Sequence, residues 1–515
     1  EIVSRDWSSD VCSSDLRRAL GHTRRIIAGQ FLLEALAVGL FGGILGVALG
    51  SLAILIAVWI AGWVFTLAQW LPPAGILLAT LVNHGLAGAL GAWIMSTVGA
   101  EIMRWVLGVS FIAMAAWTLI PDAYTSPEFH AVEQERVFAR SWVPVCVADE
   151  VAEPGDFIVV EVAGRSIIVT RNKDGELRAH HNVCRHRGAR LCEGSGHVKR
   201  FFSCPYHAWA YDLNGARLGT PLFTPESEVP VDARAAFDMT DIKAFDKDEM
   251  GLHPVRIAQW EFLVFVCLDP DAPDLAHDLG DLPERLAPYR LGEYRLARRV
   301  EYDIAADWKL IGENFMEYYH LPWVHPALVK VSPMDDHYRW QGPGRYVGFC
   351  TWPVAPNTDD GGWKGLPPVT FVEGQDAEAA RFVWLFPNVA INVMANHVFL
   401  LLARPDGTGR TAEVAYLLAH PDSIAASTDP EGDIDALLAF WDEVNKEDIG
   451  IVERVQDGLR NPAYEGGRMC YRFEESCHRF QNMLIDRMLG ITDVPPGDDA
   501  ETVRMFGPRD RAEQT

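Results

Sequence analysis

Four metal-binding side chains, close together in the sequence, constrain this chain more than any other feature. They follow the pattern C-x-H-x17-C-x2-H and are Cys184, His186, Cys204 and His207. The flanking runs are short and rich in β-branched residues, with turn signals such as Asn214-Gly215, which predicts strands joined by loops. Two thiolates and two imidazoles can hold a tetrahedral zinc ion. They can equally hold a two-iron cluster, with the thiolates on one iron and the imidazoles on the other.

A second group of candidate ligands lies in the string DWKLIGENFMEYYHLPWVHPAL. This string predicts a helix that begins near Ala306 and ends at Pro322. Glu317 and His320 are three residues apart and therefore share a face of that helix. His325 follows the proline, where a turn can bring it back toward His320. Two such histidines, joined by one carboxylate, form the facial triad of oxygen-activating Fe(II).

The missing carboxylate is predicted from a helical period further along the chain. The segment 432–459 predicts a helix, and Asp448 lies on its apolar stripe. A carboxylate on a buried face is costly unless it is paired or binds a metal. A salt bridge or a helix cap is the alternative, and the His pair favours iron. The stripe is Leu437, Trp441, Val444, Ile451, Val455 and Leu459, and the acidic residues off it, predicted to be solvated, are Asp442, Glu443, Glu447 and Glu453.

Charge and cysteine usage exclude several classes of protein. The chain has 515 residues and a formal net charge of −25, and charges balance within the first 121 residues, so the excess lies in the remainder. Such a surface should repel nucleic acid and anionic membranes. The nine cysteines are an odd number without a small stapled domain, which argues against a disulfide framework.

The first 121 residues differ from the rest. No charged residue occurs between Glu34 and Glu101, a length that suits about three membrane helices of roughly 20 residues each. The opening SRDWSSDVCSSDL resembles translated adapter sequence, and the next segment resembles a permease of the lipoprotein-release kind. The string LATLVNHGLAGALGAWIMSTVGAEIMRWVLGVSFIAMAAWTLIPD is similar to a cation/proton-exchanger family. We therefore expect an all-α membrane-type segment that is not native to the function.

The remainder resembles a known family over about residues 122–490. The strings CRHRGARL and CPYHAWAYDLNG resemble the two cluster loops of Rieske oxygenases, except that Ala208 stands where the family usually has Gly. The strings ENFMEYYHLPWVHP and NKEDIGIVERVQDGLRNPAYEGGR resemble the iron-site motifs of their α subunits, closest to the choline and carnitine monooxygenase branch. The resemblance implies that the Cys/His quartet holds a [2Fe–2S] cluster. It also implies that His320, His325 and Asp448 hold Fe(II), and that Glu317 connects this iron to His207 of a neighbouring subunit.

The resemblance further implies an α+β fold. A β-sandwich Rieske domain with an N-terminal lead-in is expected at 122–255, and a helix-grip (START-like) catalytic domain at 256–500, followed by a disordered tail at 501–515. A homotrimer is expected, because the cluster and the iron of one chain are usually too far apart in this family. Residues 122–515 are expected to be cytoplasmic, or membrane-attached if the first 121 residues are genuine.

The activity implied is hydroxylation of a small substrate with O₂ and electrons from an NAD(P)H-dependent reductase. A quaternary or methylated amine is the leading substrate, and an aromatic cage from Tyr319, Trp323 and Trp384 would bind it. An aromatic ring-hydroxylating dioxygenase is the first alternative, with Arg339 or Arg381 as a clamp for a carboxylate. An electron-transfer Rieske protein is the second, although such a protein has no use for the facial triad.

Overall fold

The computed structural model describes residues 121–221, 247–353, 365–464 and 466–507. The predicted membrane-type segment lies outside these residues, apart from Pro121. Within the described ranges, every helix is too short or too polar to span a bilayer.

The first sheet has seven antiparallel strands in the order β1-β10-β9-β4-β3-β2-β5. A smaller antiparallel sheet, β6-β7-β8, accompanies it. Both contain the short alternating strands that the sequence predicts. The strands are β1 (Val143–Val147), β2 (Asp156–Val162), β3 (Arg165–Arg171), β4 (Leu177–His181), β5 (Ser195–His197), β6 (Phe201–Ser203), β7 (Ala210–Asp212), β8 (Arg217–Gly219), β9 (Pro254–Trp260) and β10 (Leu263–Cys267).

The expected domain boundary at residue 255 falls inside this first sheet. Strand β9 begins at Pro254, and β10 pairs with both β9 and β1. The sheet therefore extends to Cys267, because its central strands come from the far side of the expected boundary. Sequence patterns predict strands well but not which distant strands pair.

The second sheet also has seven antiparallel strands, in the order β11-β17-β16-β15-β14-β13-β12. Strands β13 to β17 are almost wholly buried, whereas the edge strand β11 is highly charged and mostly half-buried or exposed. The strands are β11 (Arg295–Ile304), β12 (His337–Arg339), β13 (Tyr346–Thr351), β14 (Ala380–Leu385), β15 (Val389–Val393), β16 (Val398–Pro405) and β17 (Thr411–Ala419).

Helix α5 lies between the second sheet and two long helices, α9 and α10. Helix α5 packs against strands β13 to β16, and α9 and α10 pack against α5. The described α-helices are α1 (Asp122–Thr125), α2 (Pro127–Arg136), α3 (Leu275–Leu279), α4 (Leu282–Leu286), α5 (Trp308–Met316), α6 (Leu321–Val324), α7 (Gln375–Glu378), α8 (Pro421–Ala426), α9 (Pro430–Leu459), α10 (Tyr471–Leu489) and α11 (Ala500–Phe506). Helix α11 occupies the beginning of the segment predicted to be a disordered tail.

The N-terminal lead-in packs on helix α5 and also contacts the first sheet, where Glu135 pairs with Arg165 at 2.8 Å. The Tyr124 hydroxyl donates to Glu313 at 2.7 Å, and the buried Lys309 ammonium pairs with Glu133 at 2.7 Å. Both side chains have 0% exposure. Burial of a charge is costly unless the charge is paired, and these two charges pair with each other. The lead-in therefore buttresses the helix that leads to the predicted iron ligands.

Helix α9 (Pro430–Leu459) confirms the helix predicted over 432–459. Its buried face contains more polar residues than the predicted apolar stripe. Pro430 occupies the first turn, and the Asp429 side chain accepts a hydrogen bond from the Gly432 amide at 3.3 Å. Asn445 and Gln456 are buried on the inner face, whereas Val455 is 43% exposed. The buried polar residues bond to groups outside the helix, which a period count cannot reveal.

Candidate metal centres

The two loops that carry the Cys/His quartet have the same backbone hydrogen bonds. In the first loop, Gly188 donates to the Cys184 carbonyl at 3.0 Å, and Cys184 donates to Ala189 at 2.8 Å. The second loop repeats both bonds with Cys204, Ala208 and Trp209. Gly188 has φ +74° and Ala208 has φ +56° at the equivalent position. Ala208 thus takes the left-handed conformation in which a Cβ atom costs energy.

The two thiols of the quartet are buried, whereas the His186 imidazole is half-buried and the His207 imidazole is exposed. Cys184 and Cys204 are each 3% exposed, whereas His207 is exposed. The rings of His186 and His207 lie 4.6 Å apart, centroid to centroid. The sequence analysis did not single out Tyr211, whose hydroxyl lies within hydrogen-bond distance of the Cys184 sulfur, at 3.3 Å. Hydrogen bonds to ligand sulfurs tune the potential of iron–sulfur clusters.

The four ligand atoms of the quartet do not converge on one point. Within the described ranges, only one group of three or more His, Cys, Asp or Glu side chains has ligand atoms all within 4.8 Å of one another, and it is not the quartet. A tetrahedral zinc ion would require such convergence, with ligands about 2.0–2.3 Å from the metal. The buried thiol pair and outward imidazole pair fit the two irons of a Rieske cluster instead.

The converging group is His320, His325 and Asp448. The Asp448 carboxylate lies 2.8 Å from Nε2 of His325 and 3.5 Å from Nε2 of His320. His325 is buried, and the side chains of His320 and Asp448 are 15% and 23% exposed. Two imidazole nitrogens and one carboxylate oxygen on the same side of a small volume fit an Fe(II) ion with open positions.

The chain reaches this geometry through a break that differs from the predicted helix. Helix α5 ends at Met316, and Glu317 is extended, with φ −105° and ψ 155°. The Glu317 carboxylate accepts from the His320 amide at 3.2 Å and lies 2.5 Å from Nδ1 of the same residue. Pro322 lies in the first turn of α6 and does not end the helix before it. The glutamate caps the new turn, so it contacts His320 without a shared helical face.

Glu447 has a structural role that the helical period failed to predict. Its carboxylate lies 2.7 Å from Nδ1 of His325, although it was expected to be solvated. Burial of the His325 ring opposes a positive charge, but Asp448 and Glu447 outweigh it and raise the pKa of His325. A carboxylate on the far nitrogen fixes the tautomer and orientation of a ligand histidine. The only sequence signal is adjacency to Asp448, which does not distinguish Glu447 from other exposed acids.

A cavity of about 80 Å³ opens beside the three converging side chains. Polar groups at its wall include Ser332, Thr351, Asn392 and His337. Burial lowers the pKa of His337 to about 4, so its ring is neutral at pH 7. The apolar part of the wall combines aliphatic side chains with six aromatic ones, which are Phe315, Tyr318, Phe349, Phe382, Phe399 and Trp441.

None of the three residues predicted to bind substrate lines this cavity. Tyr319 is 44% exposed and stacks on Phe473, and Trp323 is 72% exposed. Trp384 is fully buried, and its indole N–H donates to the Pro387 carbonyl at 2.9 Å. These three residues were predicted because they lie near the motifs in the sequence. After helix α5 ends at Met316, the Tyr318 side chain is buried and the Tyr319 side chain is exposed.

Comparison with known proteins agrees with this arrangement. The family model of the Rieske [2Fe-2S] domain matches residues 141–232. The family model of the ring hydroxylating alpha subunit (catalytic domain) matches residues 291–490. A third model, the divalent cation/proton antiporter GDT1, matches residues 66–126, in line with the exchanger resemblance. The chimeric origin of the first 121 residues stays a prediction.

Relatives and solved structures cover most of the chain. The carnitine monooxygenase oxygenase subunit of Acinetobacter pittii is 30% identical over 68% of this chain and 87% of its own length. The chloroplastic choline monooxygenase of Atriplex hortensis is 26% identical over 70% and 76%. The structure of the quaternary ammonium Rieske monooxygenase CntA with an inhibitor is 26% identical, covers 72% of this chain and 95% of that one, and has a TM-score of 0.60.

A naphthalene 1,2-dioxygenase from Rhodococcus sp. shares the fold, with a TM-score of 0.62 at 22% identity over 75% of this chain and 98% of that one. Rieske oxygenase α subunits work with a separate reductase, O₂ and an organic substrate. The chain belongs to the Rieske non-haem iron oxygenases as a catalytic α subunit, with a [2Fe–2S] cluster domain and a mononuclear-iron catalytic domain.

Proposed function

We propose that this protein hydroxylates a carbon next to the nitrogen of a quaternary or methylated amine. The product would be a hemiaminal, which collapses to an amine and an aldehyde. The observation that carries this proposal is the aromatic wall of the cavity beside His320, His325 and Asp448. The named activities of the carnitine and choline monooxygenase relatives support it.

The cavity suits an organic cation. Faces of aromatic rings attract a cation electrostatically, by as much as about 2 kcal/mol when water is excluded. Phe349 and Phe382 stack at 4.8 Å and form one side of the wall. No Lys or Arg is among the described residues that line the cavity, and the nearby Arg472 guanidinium lies over the Tyr318 ring at 5.7 Å, not over Phe349 or Phe382.

The two arginines considered as carboxylate clamps are engaged elsewhere. Arg339 pairs with Glu475 at 2.8 Å and with Asp498 at 2.5 Å. Arg381 pairs with Asp376. Neither lines the cavity. This arrangement favours a substrate whose non-cationic end is apolar or carries a hydroxyl group, for which Ser332, Thr351 and Asn392 are available.

We assign the metal ligands from the geometry of the two sites. Cys184, His186, Cys204 and His207 would hold the [2Fe–2S] cluster, and His320, His325 and Asp448 would hold Fe(II). The bound iron supplies the site at which O₂ is reduced and one oxygen atom becomes available to the substrate. The protein's own part is to exclude bulk water from the cavity and to hold the reacting carbon near the open face. The second sheet with its helices is assigned to the helix-grip type.

Electrons would reach the iron from the cluster of a neighbouring subunit. His207 is exposed on its loop, and Tyr206 beside it is 58% exposed, so this surface is available for a contact. Glu317 contacts His320 at the other end of the proposed route. A head-to-tail homotrimer would join the two ends, with an NAD(P)H-dependent reductase as the electron source.

An aromatic ring-hydroxylating dioxygenase is the second candidate. The same cavity is apolar enough for an arene, and the naphthalene dioxygenase fold is similar. The two candidates differ in how much they require positive charge on the substrate. An arene would bind by shape and burial alone.

The test compares a cation with a neutral molecule of the same shape. Oxygen uptake by the reconstituted enzyme, with reductase and NADH, is measured for choline-type amines and for analogues with a tert-butyl group in place of trimethylammonium. We expect kcat/KM to favour the cation by roughly 30-fold, the equivalent of about 2 kcal/mol. Phe382→Leu keeps an apolar wall without a ring face, and it should reduce only the preference for the cation. Equal turnover of both analogues, or a ring cis-diol from an arene as the best product, would reject the proposal.

A further inference from the structure

A fully buried carboxyl group lies behind the proposed iron ligand Asp448. Glu413, the third residue of strand β17, is 1% exposed. Its Oε1 atom accepts a hydrogen bond from the Asn445 amide at 2.7 Å, one helical turn before Asp448 on helix α9. Its Oε2 atom is buried and has no hydrogen-bond partner among the described residues.

The surroundings of Glu413 oppose a negative charge. In the described part of the chain, no cationic side chain pairs with it. The titratable groups that face it are the Tyr302 phenol on β11 and the Asp448 carboxylate on α9, while helix α5 contributes only the uncharged Ile311, Asn314 and Phe315. Tyr302 donates to Asp442 at 2.7 Å, so its proton is directed away from Glu413. Burial, and then the charge of Asp448, raise the pKa of Glu413 to about 7.

A small cavity joins this carboxyl to the substrate site. It has a volume of about 20 Å³ and is lined by Glu413, Asn314, Asn445 and Asp448. That volume suffices for one water molecule, which needs about 10–15 Å³ and two to four polar partners. Asn314, Asn445 and Asp448 also line the larger cavity beside the metal triad. One water in the smaller cavity would therefore contact both the carboxyl and the edge of the reaction site.

Monooxygenation consumes protons as well as electrons. The O–O bond of O₂ breaks, one oxygen atom enters the C–H bond, and the other takes two electrons and two protons and leaves as water. In the proposed function the NAD(P)H-dependent reductase supplies both electrons. The residues assigned so far supply no proton, because the two histidines and Asp448 are committed to the metal.

We propose that Glu413 holds a proton at Oε2 and delivers it, through water in the smaller cavity, to the oxygen that is reduced at the mononuclear site. The carboxylate then regains a proton from solvent through the larger cavity. Asn445 keeps Oε1 occupied, so Oε2 is the atom that carries the proton. This inference rests on the proposed function for the identity of the reaction, but the protonation of Glu413 does not depend on the substrate.

The experiment compares Glu413→Gln with Glu313→Gln in the holoenzyme with its reductase. Glu313 is a partly buried carboxyl whose pKa burial also raises to about 7, but it bonds to Tyr124 and Gln481 and does not line either cavity. Glu413→Gln should keep the Asn445 hydrogen bond and the iron content while kcat falls roughly 10- to 100-fold, at the lower end of the range for lost proton transfer. KM should change by less than about twofold, since no substrate contact is lost. Glu313→Gln should leave kcat nearly unchanged.

Two readouts separate proton delivery from a structural role. The infrared spectrum of the wild-type holoenzyme at pH 6 should contain a carboxylic acid C=O band that shifts in D₂O and is lost only in Glu413→Gln. The pH profile of kcat should lose its decline on the alkaline side in the same variant. If Glu413→Gln does not load iron, Glu413→Asp replaces it, and this variant should keep an alkaline decline at a displaced pH.

The outcomes are distinguishable. A wild-type kcat and pH profile in Glu413→Gln, or an ionised Glu413 at pH 6, would overturn the inference while leaving the proposed function intact. A wild-type enzyme that turns over no methylated amine would instead overturn the proposed function, and the infrared measurement would still decide whether Glu413 holds a proton. A Glu413→Asp variant without any alkaline decline would also count against proton delivery.

Discussion

The two proposed metal sites of this chain are built in opposite ways. The cluster site comes from two loops close together in the sequence, each with its own internal hydrogen bonds. The mononuclear site joins a broken helix to an aspartate more than a hundred residues later, through a distance of 2.8 Å between His325 and Asp448. A local site depends on a few backbone conformations, whereas a long-range site depends on the packing of α5, α6 and α9. This difference predicts which substitutions affect one site and which affect both.

The largest effect is expected from removing one ligand at each site. Asp448→Ala should abolish turnover and remove the mononuclear iron, because two imidazoles without the carboxylate hold Fe(II) poorly. The visible absorbance of the cluster should stay, since no contact links Asp448 to the cluster loops. Cys204→Ser should do the reverse, with loss of the cluster and retention of the mononuclear iron. Iron and sulfide analysis of both purified variants measures this. Simultaneous loss of both metals in Asp448→Ala would show that the two sites fold as one unit.

The next effect concerns the residue proposed to connect the sites between subunits. Glu317→Gln keeps the size of the side chain but removes the charge that faces Nδ1 of His320, 2.5 Å away. We expect kcat to fall roughly 10- to 100-fold, as for other residues that orient metal ligands. Reduction of the cluster by the reductase should be unchanged, and oxidation of the reduced cluster by O₂ and substrate should be slow. Stopped-flow absorbance separates the two half-reactions. An unchanged rate of cluster oxidation would exclude a role for Glu317 in the transfer.

A smaller effect tests the support of the long-range site. Glu447 orients His325 through Nδ1, whereas Glu443 on the same helix is exposed. Glu447→Gln should weaken iron binding about tenfold, the lower end of what loss of a supporting carboxylate costs. Glu443→Gln is the matched control and should bind iron like the wild type. Competition with a chelator gives the affinity of each variant. Equal affinities would mean that packing alone holds the His325 ring.

The local site is easier to propose from the sequence than the long-range one, for a physical reason. The spacing of Cys184, His186, Cys204 and His207 is a property of two short loops, so the string contains nearly all of the site. Asp448 could be proposed as a ligand because the helical period indicates which face of the helix is buried, and a carboxylate on a buried face needs a partner. Glu447 could not be found, since its partner comes from a different element. The first sheet extends past the expected boundary at residue 255 for the same reason, because β9 and β10 pair with strands far earlier in the chain.

The wall of the cavity beside the proposed iron ligands shows most clearly what could not be predicted from the sequence. Tyr319, Trp323 and Trp384 were chosen for their closeness to motifs, but the wall is formed by side chains from α5, α9 and several strands. The predicted continuous helix put Glu317 and His320 on one face, and the real break at Met316 changes which neighbouring ring points inward. The helical pattern of the segment did not reveal the break. The break is stabilised by hydrogen bonds that the Tyr319 and His320 amides donate to the Glu317 carboxylate.

The smallest expected effect compares the two cluster loops with each other. Gly188 and Ala208 occupy equivalent positions and both have positive φ, so exchanging their residue types should change stability in opposite directions. Ala208→Gly should stabilise the folded protein by up to about 1 kcal/mol, because relief of the left-handed alanine exceeds the entropy that glycine adds to the unfolded chain. Gly188→Ala should destabilise it by a similar amount. An added Cβ at Gly188 would lie 4.0 Å from its nearest neighbour, Val183, so a steric clash would not contribute.

Chemical denaturation of the holoenzyme, followed by the circular dichroism of the cluster, measures both changes. The cluster signal should disappear at a higher denaturant concentration in Ala208→Gly and at a lower one in Gly188→Ala, with unchanged slopes. Shifts in the same direction would mean that the loops are equivalent in backbone but not in environment. In that case the exposed His207 side of the second loop, where Tyr206 lies 3.7 Å from the imidazole, would be the first place to seek the difference.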